Sequence, residues 1–137
     1  MLANKLVIGT ANFNKKYGLS PTVVKYAEIK KIINFCKRKK IINFDTSRSY
    51  KNSEKLLGRT LNSKAKIATK LPPIKIYNKF NKTETWIKNQ INISLKKLKR
   101  KKIYALLLHK PDILLGYKGK EIYKILVNLK KKKIIKK

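Results

Sequence analysis

Four short, largely apolar runs punctuate the chain: "KLVIG" at residues 5–9, "IINF" at 41–44, "KIAT" at 66–69 and "IYALLL" at 103–108. Each is too short for a helix. Their continuous rather than alternating apolar character suits strands buried on both faces, as in a parallel sheet. Each run passes through a polar turn region into a stretch with helical spacing. In the first of these, residues 20–40, Ser20 is an N-cap candidate and Pro21 a first helical residue, with Val23, Tyr26, Ile29 or Lys30, Ile33 and Cys36 on one face. Ser53 is expected to cap the second helix, which sets Leu56, Leu57, Thr60 and Leu61 on one side. Thr83 is expected to cap the third, with Ile87, Ile91, Ser94, Leu95 and Leu98 in register. The fourth aligns Ile122, Ile125, Leu126 and Leu129, and Ile134 and Ile135 read as the first residues of a fifth strand.

The order is therefore βαβαβαβα, which calls for parallel strands joined by right-handed crossovers. Two α/β architectures satisfy it: a doubly wound sheet, or part of a (β/α)8 TIM barrel. A whole barrel takes about 250 residues, so four units in 137 residues is close to half of one, and residues 1–137 read as a single domain half that stops before strand five.

Charge changes this picture less than its size suggests. The chain has 37 basic and 6 acidic residues, a formal net charge of +31, which alone would point to nucleic acid or an anionic surface. Yet only Arg38, Arg48, Arg59 and Arg100 are arginine, the type best suited to bidentate contacts with bases and phosphates. The 33 lysines are spread along nearly the whole length beside abundant isoleucine and asparagine. That mixture is what A/T-rich codons supply, and it reads as lysine filling solvent faces. Tyr77, Phe80 and Trp86 form no basic–aromatic platform, so a nucleic-acid-binding module is the lesser reading. Cys36 is the single cysteine, which excludes an intrachain disulfide and a cysteine metal cluster, and it reads as a buried, inert thiol. The N-terminal apolar run is too short for a secretory signal, and no stretch reaches the length of a membrane span. The expected location is the cytoplasm.

In parallel α/β folds functional groups gather at the C-terminal ends of the strands. Those ends carry Gly9, Thr10 and Ala11, then Asp45, Lys70 and His109, with Tyr50 on the loop after the second strand. His109 is the only histidine and Asp45 one of two aspartates. Singly, each has a structural explanation. Together, an aspartate, a tyrosine, a lysine and a histidine around one sheet end form an acid–base set. A nearby ammonium lowers a tyrosine pKa from its usual value of about 10, and an aspartate can hold that lysine in place. A tyrosine so tuned can protonate a developing alkoxide near neutral pH.

The segments "LVIGTANF", "INFDTSRSYKNSEKLLG", "KIATKL" and "ISLKKLKRKKIYALLLHKPD" resemble the N-terminal half of an aldo/keto reductase. The aspartate-to-tyrosine interval, Glu54 and Gly58 in the helix that follows, the threonine–lysine ending strand three and the "LLLHKPD" ending strand four occur in the family's order. The resemblance implies a TIM barrel that transfers a hydride reversibly between NADPH, less often NADH, and a carbonyl of a small aldehyde or ketone. It makes Tyr50 the proton donor, Lys70 the group that depresses its pKa, Asp45 the anchor of Lys70, and His109 the residue that orients the carbonyl or relays the proton. Gly9, Thr10, Ala11 and Asp45 would flank the nicotinamide, and no metal is implied. Lys51 and Asn14 stand where many members have glycine. The family's grip on the rest of the cofactor lies after strand five, so a non-catalytic half-barrel remnant is an alternative outcome. Unpaired strand edges would favour self-association.

Overall fold

The computed structural model describes residues 3–13, 16, 18 and 22–137. Four strands, β1 (Val7–Gly9), β2 (Asn43–Asp45), β3 (Lys66–Leu71) and β4 (Ala105–Leu108), alternate with four helices, α1 (Tyr26–Arg38), α2 (Ser53–Thr60), α3 (Phe80–Leu98) and α4 (Gly119–Lys131). Short 3-10 turns occupy Ala3–Lys5 and Pro111–Leu115. All strand pairs are parallel and the spatial order is β1-β2-β3-β4, the same as the chain order. A doubly wound sheet reverses direction at a switch point; this sheet advances in one direction only, as the wall of a (β/α)8 barrel does. The proposed start of a fifth strand is present as well. Ile135 bridges Ile103 in parallel, and the Lys137 N–H donates to the Tyr104 carbonyl at 2.9 Å.

Burial alternates along the strands. On β3, Ile67, Thr69 and Leu71 are buried while Lys66, Ala68 and Lys70 are not. Register places Ile8, Phe44 and Ile67 in one row and Gly9, Asp45 and Ala68 in the next. The first row meets the helices and the second lines the inner face. This corrects the expectation that the strands are buried on both faces. Helices cover the outer face alone, and the inner one leaves Val7 58% and Leu107 44% exposed.

The core divides in two. Ile29, Ile33 and Cys36 of α1 pack with Phe44, Leu57, Ile67 and Leu98; Ile87 and Ile91 of α3 pack with Leu71, Ile103, Ile122 and Ile125. Ile29, not Lys30, takes the buried position on α1. Burial pushes the Cys36 thiol pKa up, in keeping with an inert buried thiol.

The helix starts differ from expectation. Helix α1 begins at Tyr26 with no side-chain cap, so Val23 precedes it, and Ser20 and Pro21 lie outside the described residues, as does Asn14. Neither Ser53 nor Thr83 is an N-cap. Ser53 is the first residue of α2 and donates its hydroxyl to the Thr10 carbonyl at 2.9 Å. Thr83 lies in the first turn of α3, where its hydroxyl accepts the Tyr77 N–H at 3.0 Å. Both hydroxyls satisfy backbone groups outside their own helix, which local spacing cannot reveal.

Candidate active site

At the C-terminal end of the sheet, Asp45 closes β2 and Lys70 is the penultimate residue of β3, and the two side chains share the inner face. Lys70 Nζ donates to both carboxylate oxygens of Asp45, at 2.7 and 2.6 Å, and to the Thr46 carbonyl at 3.0 Å. An ammonium has three protons, and these three bonds use them in fixed directions. The pair is half-sheltered rather than sealed, with side-chain exposures of 18% for Lys70 and 34% for Asp45.

Tyr50 reaches the pair from the turn between β2 and α2. Its ring is buried and lies 5.2 Å, centroid to Nζ, from Lys70. The turn is held at both ends: the Tyr50 N–H donates to the Ser47 carbonyl at 3.1 Å, and the Ser53 N–H to the Tyr50 carbonyl at 2.8 Å.

His109 follows β4 and is exposed, with its N–H bonded to the Leu71 carbonyl at 3.0 Å. Its Nδ1 lies 3.5 Å from the hydroxyl of buried Ser47, which also accepts the Ser49 N–H at 3.1 Å. Ser47 therefore connects the loop that carries Tyr50 to the strand end that carries His109.

The first strand end is built differently. Thr10 is fully buried, and its hydroxyl and N–H both donate to the Asp45 carbonyl, at 2.9 and 3.0 Å. It locks β1 to β2 and has no proton left for a ligand. Ala11 lies in the turn beyond it, half-buried. A Cβ built on Gly9 would meet nothing within 4 Å, so the sheet surface beside Asp45 is open to a flat ring.

The structure thus brings Asp45, Lys70 and Tyr50 into direct contact, sets His109 beside them through Ser47, and places Gly9 on the same face. Sequence spacing missed the supports. Buried Glu54 accepts the Thr69 hydroxyl at 2.8 Å, which fixes the residue before Lys70 to the first turn of α2. Adjacent Ser53 ties that same turn to β1. Two polar residues opening a helix next to Tyr50 are the available signal: Ser53 reads as a local cap, and Glu54 stands out only as part of the family's motif. Among the described residues no group of three or more metal-binding side chains occurs, and no helix is long and apolar enough to cross a membrane.

Residues 5–137 match the model of the aldo/keto reductase family. Among solved structures, a putative aldo-keto reductase of Pseudomonas aeruginosa superposes with a TM-score of 0.71 at 23% identity, covering 94% of this chain and 52% of its own. An aldo-keto reductase of Bacillus halodurans in its holo form gives 0.70 at 19% identity, covering 96% and 43%. The chain spans about half the length of these structures. No curated protein matches it.

Proposed function

The chain belongs to the aldo/keto reductase family, and on that footing we propose that it carries the acid–base half of an oxidoreductase acting on the carbonyl of a small aldehyde or ketone. The observation that carries this reading is the Lys70 ammonium, bonded to both Asp45 oxygens and 5.2 Å from the Tyr50 ring. A cation held beside a phenol stabilises the negative charge that develops on its oxygen as the proton leaves. Tyr50 can then give a proton to the carbonyl oxygen as charge develops there and recover it in the reverse direction. Asp45 keeps Lys70 in place by using two of its protons. His109, exposed after β4, would donate to the same oxygen and orient it.

A nicotinamide dinucleotide, NADPH before NADH, would supply the hydride. Gly9, Thr10, Ala11 and Asp45 are the residues that would hold its ring. The open surface over Gly9 fits that group, with Thr10 contributing shape rather than a hydrogen bond. We further propose that residues 1–137 are the N-terminal half of one barrel domain and that its place is the cytoplasm.

Fluorescence titration with NADPH, followed by carbonyl reduction assays, tests the reading. NADPH is expected to bind both the parent chain and Tyr50→Phe, while reduction falls by about 10²–10⁴-fold in the variant. Reduction that survives Tyr50→Phe unchanged would overturn the assignment of the proton donor.

A further inference from the structure

At the opposite, N-terminal end of the sheet, three lysines converge on one ring. The Nζ atoms of Lys66, Lys136 and Lys137 lie 5.5, 5.8 and 5.8 Å from the Tyr104 centroid. Every other ring contact of this type among the described residues involves a single lysine: Lys30 on Tyr26, Lys70 on Tyr50 and Lys118 on Tyr117. Lys66 opens β3, Tyr104 precedes β4, and Lys136 and Lys137 come from the segment paired beyond β4. A run of lysine in the sequence does not produce this cluster; the fold assembles it from separate segments.

The ring borders a cavity of about 350 Å3 with an apolar floor that includes Ile67 and Leu98. Its walls carry Lys66, Lys102, Lys136 and Arg100, and no carboxylate lines it. Arg100 is fixed there. Its guanidinium donates to the Leu61, Asn62, Leu98 and Lys99 carbonyls and pairs with no acid. Cations gathered around one ring repel one another, more strongly as salt is lowered, unless an anion intervenes. The terminal nitrogens of Arg100 are engaged by these four carbonyls, so it contributes fixed positive charge to the cavity rather than a bond to a ligand.

We propose that this cavity is a binding site for a small oligophosphate, an anion with two or more linked phosphate groups. Lys66 and Lys136 contact its oxygens, and Arg100 sets the local field. The site lies at the other end of the sheet from Tyr50 and does not depend on any catalytic role for the chain.

Tripolyphosphate, titrated calorimetrically into the full chain at physiological ionic strength, is the test, with ATP as a second arm. The expected result is saturable one-to-one binding, accompanied by NMR shifts of the Tyr104 ring. Lys66→Gln/Lys136→Gln is expected to weaken it by about tenfold or more, and Lys120→Gln/Lys124→Gln, which removes the same charge from exposed positions on α4, to leave it within about twofold. Tighter binding of ATP would assign the cavity to a nucleotide, and equal affinity to the phosphate chain alone. Equal weakening by the two double variants, or many weak sites per chain, would show attraction to net charge only and overturn the proposal.

Discussion

Lys51 follows Tyr50 with a φ of 41°, a left-handed conformation in which a Cβ crowds the following carbonyl at a cost of roughly 1–2 kcal/mol. Glycine avoids that clash but gives the unfolded chain more freedom, worth about 0.4–1 kcal/mol in the other direction. Lys51→Gly is therefore expected to stabilise the chain by about 0.5–1 kcal/mol, read as a higher urea midpoint at unchanged slope. A lower midpoint would mean that the lysine side chain contributes more than the strain removes. At this scale the sequence was half legible. Lys51 stood out as an unusual occupant of its position, and the strand-end positions of Asp45, Lys70 and His109 and the loop position of Tyr50 were legible from the order of the runs. The partners of Ser53 and Glu54 were hidden, because Thr10 and Thr69 are distant in sequence, and that of Thr83 because Tyr77 lies in the loop ahead of its helix.

Three of the four helices end in the same way. After α1, α3 and α4 the chain turns through Lys40, Lys99 and Lys133, all with φ between 51° and 58°. In each case the next N–H reaches back to a carbonyl five residues earlier: Ile41 to Cys36, Arg100 to Leu95 and Ile134 to Leu129. Glycine is the usual occupant of this position, and lysine here is the mark of the composition. Two glycines, Gly58 and Gly119, are found where backbones touch. A Cβ on Gly58 of α2 would lie 2.2 Å from the Lys97 carbonyl oxygen and 2.7 Å from the Leu98 carbonyl carbon of α3. Gly58→Ala must push the two helices apart and is expected to cost about 3 kcal/mol or more in urea unfolding, the upper range for overpacking. Gly116→Ala, with its nearest contact at 3.5 Å, is expected to cost under about 1 kcal/mol. Equal effects would show that α2 and α3 yield easily. Helix faces were legible from 3.6-residue spacing, as Ile87, Ile91 and Leu98 show; the starts of α2 and α3 were not, because the Ser53 and Thr83 hydroxyls bond to backbone groups outside their helices.

For the molecule as a whole, two terms oppose each other. Leu6, Val7 and Leu107 leave apolar surface at the β1 edge and on the inner face, which favours association. A net charge of +31 keeps copies apart. Salt shortens the screening length from about 10 Å at 0.1 M to about 3 Å at 1 M, so the sedimentation coefficient is expected to rise with ionic strength. A chain that stays monomeric throughout would show that the uncovered face does not drive self-association. The alternating units and their parallel pairing were legible from the order of apolar runs; the choice of barrel wall over doubly wound sheet came from the family's motifs, and the strand order bears it out. That order also has a consequence in time. Because each strand pairs with the one made just before it, every new βα unit emerging from the ribosome meets a finished docking edge. The sheet can be laid down like staves set one after another, with no early piece waiting for a distant late one.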